Sequence, residues 1–456
     1  MTLPEDFVRR MTEELGADEA AKLCAALDTE PSTTVRLNPL KMSAPSAEWK
    51  SHRVPWSEWG YALEERPSFT FDPLFHAGAY YVQDASSQFV GQILREVPLE
   101  GCRLLDLCAA PGGKTTLYAT LVGREGLVVA NEIDRRRARI LADNVRKWGT
   151  GNIAVTSCRP DQISQMEAWF DVVAVDAPCS GEGMFRKDDV AREEWSEGNV
   201  RMCAARQDEI LREAWKMLRP GGILLYSTCT FNRDEDEGAV QRLTAWAGDE
   251  IEPAPEVEAD PAWGVATGCT GDAQTFHFYP HRIKGEGFFA AVVRKREDAE
   301  GGKRLKKAAR SLITKAERTA EKELKRWLAQ PDKMEVVAVG DTFYAWWKAQ
   351  AEAVKTLSDR VAVIYSGVAV GQIFKGKLKP DPALAFFVGM NREAVPSADL
   401  EGEEVLCYLR RQDIGAGQLA EGMNLITYKG YPLGFAKRIS QRINNLYPDS
   451  LRIIKQ

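Results

Sequence analysis

The sequence predicts a doubly wound α/β domain in the middle of the chain. Three observations predict it. Residues 96–296 alternate apolar, β-branched runs with helical segments. A glycine-rich turn, Asp106-Leu107-Cys108-Ala109-Ala110-Pro111-Gly112-Gly113-Lys114-Thr115, joins the first run to the first helix. Two later runs end in turns that each carry a cysteine, Cys179 and Cys229.

The elements follow in order. Residues 1–95 are mixed: Phe7 to Leu27 reads as a helix, and Val35 to Leu40 as a short strand stopped by proline. Within residues 96–296 the expected strands are Arg103–Leu107, Leu127–Asn131, Ile153–Thr156, Asp171–Val175, Gly222–Tyr226 and Phe288–Arg294. Helices are expected at Lys114–Val122, Arg135–Trp148 and Val200–Leu218. Arg219-Pro220-Gly221-Gly222 punctuates a helix-to-strand turn. Glu250 to Asp272, rich in Pro, Gly, Asp and Glu, reads as a surface excursion. Residues 297–335 read as a basic helical linker entered through a polar hinge, Glu297 to Gly302. Residues 336–395 read as a small α+β module and 396–456 as a last one. Their short β-like segments include Val336–Val339, Thr342–Trp347, Val361–Tyr365, Gly367–Phe374, Glu404–Leu409, Asn424–Tyr428 and Tyr431–Ala436.

Bulk properties bound the function. At 456 residues the chain is too long for one ordinary domain. Its 44% hydrophobic and 28% charged content is globular. No apolar run approaches the roughly 20 residues that span a bilayer, and Met1 to Arg10 is not a secretory signal. Nine cysteines, irregularly spaced and with no Cys-x-x-Cys pair, argue against a disulfide framework and against zinc. The expectation is a reduced, cytoplasmic protein without a metal or membrane partner. Net charge is −6, yet Lys303, Arg304, Lys306, Lys307, Arg310, Lys315 and Arg318 cluster. Lys429, Lys437, Arg438, Arg442, Arg452 and Lys455 add basic charge near the end. Such patches suit local phosphate contact, and a solvated helix face is the plainer alternative for the first.

The turn at 106–115 follows a strand and opens a helix, where free amides and close backbone approach favour a ligand. It has neither the Walker nor the dinucleotide glycine spacing. Glu132 ends the next strand, twenty residues beyond Gly112. A carboxylate there can accept both hydroxyls of a ribose. A sugar without pyrophosphate points to S-adenosylmethionine rather than NAD. A helix-capping turn with an exposed Glu is the alternative.

Two thiols beside such a site suggest covalent chemistry. Cytosine carbon 5 is a poor nucleophile until a thiolate adds to carbon 6, whereupon it can attack a methyl sulfonium. An unperturbed thiol is only about 3% ionised at pH 7, so the site must be electropositive or amide-rich. Lys114, Arg186 and Lys187 are candidates for that charge. A second acid or base helps to expel the thiol afterwards. Asp176 and Cys179 close one strand and Cys229 the next, so all three can face one base. Cys24, Cys102, Cys203 and Cys407 read as small core residues, and Cys108 as packing beneath the turn.

These motifs resemble those of the Sun-type family of RNA cytosine-C5 methyltransferases. Asp106 to Thr115 is similar to its cofactor loop, Asp176-Ala177-Pro178-Cys179-Ser180-Gly181 to its Asp-Ala-Pro-Cys-Ser-Gly box, and Thr228-Cys229-Thr230 to its Thr-Cys box. Gly285-Glu286-Gly287-Phe288-Phe289 resembles the end of its catalytic domain. Val35 to Leu40 and Gly78-Ala79-Tyr80-Tyr81-Val82-Gln83 resemble its N-terminal RNA-facing elements. The resemblance implies a Rossmann-like methyltransferase domain with an N-terminal RNA-binding region. It implies that Cys229 is the nucleophile, that Cys179 assists adduct breakdown, and that Asp176 and Lys114 lie at the target base. Cys108, Ala109, Ala110, Pro111, Gly112, Gly113, Lys114, Glu132 and Asp176 would hold the cofactor. One departure stands out. Where the family often has Asp near the adenine, this chain has Arg159, with Asp161 shifted, so both are candidates there.

Tyr428 to Lys437, followed by Asn444-Asn445-Leu446-Tyr447-Pro448, resembles the terminal PUA-like module of the bacterial RsmF group of 16S rRNA methyltransferases. This implies 16S rRNA in a small-subunit context as partner, with flanking cations on phosphate and Tyr447 stacking on bases. A tRNA cytosine-C5 methyltransferase is the closest alternative. A DNA cytosine methyltransferase would make Cys179 the attacker; transfer to duplex DNA but not RNA would favour it. A non-catalytic ribosome assembly factor would bind cofactor without turnover.

Overall fold

The computed structural model describes residues 2–299, 301–302, 313–415, 417 and 419–455. Two helices, Glu5–Leu15 and Ala17–Leu27, open the chain where one was expected, because Gly16 at φ 84° breaks the run. Strands β1 (Thr33–Leu37), β2 (Ser51–Arg53), β3 (Gly60–Leu63) and β4 (Tyr80–Val82) form an antiparallel sheet in the order β2-β3-β1-β4.

The alternating runs form the central sheet. Its parallel core is β5 (Arg103–Asp106), β6 (Leu127–Asn131), β7 (Ile153–Thr156), β8 (Phe170–Asp176) and β9 (Leu218–Thr228). Strands β10 (Ile251–Glu252), β11 (Ala266–Thr270), β12 (Ala273–Phe278) and β13 (Phe288–Lys295) extend it antiparallel beyond β9. The order β9-β8-β5-β6-β7 reverses between β8 and β5, which opens a crevice outside their carboxyl ends. Burial on both faces explains the continuous apolar runs of β5–β8. Helices Gly113–Val122, Arg135–Trp148 and Glu197–Met217 cover the faces.

The downstream part supplies β14 (Ile313–Lys315), β15 (Met334–Val339), β16 (Thr342–Trp347), β17 (Val363–Ser366), β18 (Val368–Phe374) and β19 (Lys377–Pro380). Five of these make a sheet in the order β14-β15-β16-β18-β19. The sixth, β17, leaves it to pair antiparallel with β7 and so covers that edge of the central sheet. The last sheet is β20 (Ser397–Asp399), β21 (Gly422–Tyr428), β22 (Tyr431–Ile439) and β23 (Arg442–Asn445).

Several expectations need correction. Glu404–Leu409 lies in a helix, Gly402–Leu409. Val405, Tyr408 and Leu409 are buried while Glu403 and Glu404 complement the N-terminal dipole. Of the basic helical stretch, residues 303–312 lie outside the described residues. Ile313–Lys315 is a strand, and helix is found at Arg318–Lys325. Tyr447 is not a stacking surface: it is 1% exposed, and its hydroxyl meets His76 Nδ1 at 2.9 Å, tying the last sheet to the N-terminal region.

Val35–Asn38 and Gly78–Tyr80 also face inward. Arg36 is buried and donates from Nε to Gln83 Oε1 (2.7 Å) and from Nη2 to Thr116 Oγ1 (2.6 Å) and the Gly113 carbonyl (3.0 Å). Its guanidinium lies 4.6 Å from the Trp148 ring centre. The N-terminal sheet therefore braces the helix that follows the glycine-rich turn, and burial lowers the Arg36 pKa to about 9.

Candidate active site

The turn from β5 is fixed from beneath. Asp106 is buried and accepts from Thr115 Oγ1 at 2.6 Å; burial pushes its carboxyl up to about 7. Asn131, which sequence reasoning passed over, ties three strand ends together. Its Nδ2 donates to the Leu107 and Cys158 carbonyls at 3.2 and 2.9 Å, and its Oδ1 accepts from Thr156 Oγ1 at 2.9 Å. Gly112 takes φ 111° as N-cap of the helix Gly113–Val122, a conformation that favours glycine.

A cavity of about 1250 Å³ opens at the carboxyl ends of β5, β6, β7, β8 and β9. Of the residues singled out from sequence, Cys108, Ala110, Glu132, Arg159, Asp161, Asp176, Cys179 and Cys229 line it. Ala109, Pro111, Gly112, Gly113 and Lys114 are not among its walls. The Ala109 amide donates to the Asn131 carbonyl, and the Pro111 carbonyl accepts from Asn144. Cys108 lines the cavity, and burial holds its thiol well above the usual range.

Glu132 is 3% exposed. One carboxylate oxygen accepts from the Asp134 amide at 3.0 Å, and the other lies 3.4 Å from Arg137 Nη1. Arg159 and Asp161 pair with each other at 2.9 Å, a contact within one exposed turn. Ile133, Pro160, Ala177 and Ile210 supply apolar wall. A buried carboxylate at the second strand end, apolar walls beside it and a glycine-rich turn together fit the adenosine of S-adenosylmethionine.

At the other end of the crevice the two thiols meet. Cys179 Sγ and Cys229 Sγ are 3.1 Å apart, and the Cys229 amide points to Cys179 Sγ at 3.4 Å. The hydrogen bond to Cys229, burial and the neighbouring negative charge of Glu235 hold the Cys179 thiol well above the ordinary range. Asp176 Oδ1 receives Lys114 Nζ at 2.8 Å and Ser227 Oγ at 2.8 Å. Lys114 Nζ also sits 5.0 Å from the Phe288 ring centre. Arg186 and Lys187, proposed from sequence as cations for the thiols, are instead paired with Glu286 at 2.8 and 3.4 Å.

Behind the thiols lies a buried acidic network that sequence reasoning missed. Glu182 accepts from the Phe231 and Asn232 amides and from Trp195 Nε1. Burial pushes its carboxyl up to about 7. Glu235 accepts from the Ser180 amide (2.9 Å), Gln207 Nε2 (2.8 Å) and Asn232 Nδ2 (2.8 Å). Asp236 accepts from Thr228 Oγ1 (2.5 Å) and Thr230 Oγ1 (3.0 Å). The signal was present as Asn232-Arg233-Asp234-Glu235-Asp236, but a charged run ordinarily means a solvated face.

Comparison with known proteins places this arrangement. Residues 93–294 match the family described as 16S rRNA methyltransferase RsmB/F. Residues 3–85 match the N-terminal domain of 16S rRNA methyltransferase RsmF, and residues 395–453 match the methyltransferase RsmF PUA domain. The ribosomal RNA small subunit methyltransferase F of Klebsiella pneumoniae is 31% identical over 98% of this chain and 96% of its own length. The protein of the same name from Pectobacterium atrosepticum is 29% identical over 99% and 96%. A methyltransferase homologue from Pyrococcus horikoshii is 28% identical, with a TM-score of 0.51, over 64% of this chain and 100% of its own. NSun6 from Pyrococcus horikoshii, 21% identical with a TM-score of 0.54 over 65% and 99%, shares the fold. With three domains matched in order and near full-length relatives, the chain belongs to the RsmF family of 16S rRNA methyltransferases, S-adenosylmethionine-dependent enzymes acting on RNA.

Proposed function

We propose that the chain methylates carbon 5 of a cytosine in 16S rRNA, in a small-subunit context, through a covalent adduct between Cys229 and carbon 6 of the base. The observation that carries this reading is the thiol pair at 3.1 Å in the same cavity as Glu132. The Cys229 thiol gives up its proton to solvent and its sulfur adds to carbon 6, which breaks the 5,6 double bond and leaves the electron pair on carbon 5, now nucleophilic. S-adenosylmethionine supplies the methyl group. Asp176 has both its partners on Oδ1, which leaves Oδ2 for the base, and Lys114 holds that carboxylate in place. Cys179, kept protonated by its surroundings, donates its proton to the Cys229 sulfur as the carbon 6–sulfur bond breaks. The proton on carbon 5 is lost to solvent, its bonding pair restores the 5,6 double bond as the sulfur leaves, and Cys179 regains a proton from solvent.

Glu132 would hold the ribose, with Cys108, Ala110, Arg159 and Asp161 around the nucleoside. Ala109 and Pro111–Gly113 would shape the turn from behind. Replacing Glu132 by alanine removes two charge-assisted hydrogen bonds, each about 1.5–3 kcal/mol. Calorimetry should show S-adenosylmethionine bound at least about a hundredfold more weakly; an unchanged Kd contradicts the ribose assignment. Bisulfite mapping of rRNA and tRNA, with and without the gene, tests the substrate. A 5-methylcytosine lost from 16S rRNA is expected; one lost only from tRNA overturns the rRNA assignment.

A further inference from the structure

We propose that the adjacent carboxylates Glu235 and Asp236 are paired positioning residues, one for each thiol, and that Glu235 keeps Cys179 the proton-bearing member of the pair. Each cysteine is held through the residues on both of its sides. For Cys179, the Ser180 amide donates to Glu235 Oε2, and Gln207 Nε2 bridges that oxygen to the Pro178 carbonyl at 2.8 and 3.0 Å. For Cys229, Thr228 and Thr230 both donate to Asp236 Oδ1. The two carboxylates are consecutive at the entry to the helix Glu237–Ala247, so one rigid turn fixes both cysteine loops. Glu235, Asp236, Gln207 and Asn232 are all 0% exposed.

Three donors next to the two reactive cysteines, with Gln207 bridging to Pro178 as well, are gathered by two buried acids, which is more than packing needs. An apolar filler would stabilise the same space without the cost of desolvating carboxylates. The arrangement instead sets a sulfur–sulfur separation, and misplacement by about 1 Å at a reacting centre costs on the order of a hundredfold in rate. The charge matters as well as the geometry. The negative groups that act on Cys179 are the Cys229 thiol and Glu235; Glu182 and Asp236 share the buried network with Glu235, and Asp176 stands three residues before Cys179 in the chain. Arg206, which lines the same cavity, and Lys114, paired with Asp176, stand on the positive side. Among the acids, Glu235 is tied directly to the Cys179 loop.

The proposal rests on the release role of Cys179, and two arms separate its failure from the failure of that role. The first needs no RNA. In full-length Cys229→Ser protein, with and without Glu235→Gln, the pH dependence of iodoacetamide alkylation at Cys179 is followed by peptide mass mapping. The apparent pKa of Cys179 should fall by about one pH unit when the charge is removed; an unmoved profile overturns the electrostatic claim. The second arm uses the enzyme with both thiols, S-adenosylmethionine and small ribosomal subunits lacking the methyl group. Glu235→Gln should slow release at least about tenfold, move the alkaline limb of release to lower pH, and leave first-turnover methyl transfer within about threefold. Asp236→Asn should slow first-turnover transfer at least about tenfold without accumulating adduct. Equal slowing of both steps by both variants, with the pH profile unmoved, overturns the proposal. Should Glu235→Gln not fold, Gln207→Ala loosens the same loop and should slow release about threefold; unchanged release counts against the positioning claim. If Cys179→Ala releases RNA at the wild-type rate, the release role itself fails. Failure confined to Glu235→Gln overturns only the present inference.

Discussion

Replacing Cys229 by alanine is expected to lower methyl transfer by at least about a thousandfold and to remove every covalent RNA adduct. The thiol ends β9 in the cavity wall, and its only loss on substitution is one sulfur. The loop around it is held by Thr228, Thr230 and the Gly183 amide, which donates to the Cys229 carbonyl at 2.9 Å. None of these contacts uses the sulfur. The variant should therefore fold, and should bind S-adenosylmethionine as the wild type does, because Glu132 and the β5 turn are untouched. Calorimetry and a radiolabelled methyl assay check both halves. Retained activity in a folded Cys229→Ala protein contradicts the nucleophile assignment.

Cys179→Ala is expected to behave in the opposite way. On the proposed mechanism, attack by Cys229 does not need the second thiol, so RNA should become attached, but the proposed proton donor, 3.1 Å from the Cys229 sulfur, is gone. Turnover should fall about 100- to 10 000-fold, the range for loss of a positioned general acid. The protein–RNA complex should then accumulate and survive denaturation. On a denaturing gel this is a band retarded by the mass of the RNA. Normal turnover with no such band contradicts the release role.

Much of this was legible in the sequence. All six expected strands and three expected helices of residues 96–296 are present, because strands buried on both faces and helices covering them leave unambiguous apolar periods. The cysteines, Asp176 and Glu132 were legible for a different reason: each stands where a strand ends and a turn begins. What was not legible depends on contacts distant in sequence. The strand Val35 to Leu40 reads, by resemblance, as an RNA-facing element, yet Arg36 within it is buried, with partners Gln83, Gly113 and Thr116 lying 47 to 80 positions away. The pairing of β17 with β7 joins residues more than 200 positions apart, so no local pattern announces it. Tyr447 reads as available for bases from the resemblance and the cations that flank it, but its hydroxyl contact with His76 and its packing on the Tyr408 ring bury it. The Glu235–Asp236 pair misled in the same direction, since its donors are supplied by Ser180, Gln207, Thr228 and Thr230 from other elements.

The structure also changes the division of labour between the lysines and arginines. Sequence reasoning looked to Lys114, Arg186 and Lys187 for the positive field that favours a thiolate. Arg186 and Lys187 are committed to Glu286, and Lys114 to Asp176, so those cations brace carboxylates. At the thiols themselves, the hydrogen bond to Cys229, burial and the charge of Glu235 hold Cys179 well above the ordinary range.

The most direct test of the covalent account is mass mapping of the adduct. Cys179→Ala protein is incubated with S-adenosylmethionine and small ribosomal subunits lacking the methyl group, then digested with nuclease and protease. The account predicts a methylated cytosine nucleotide attached to the peptide that carries Cys229. Methylated RNA formed with no nucleotide on any cysteine peptide would contradict it.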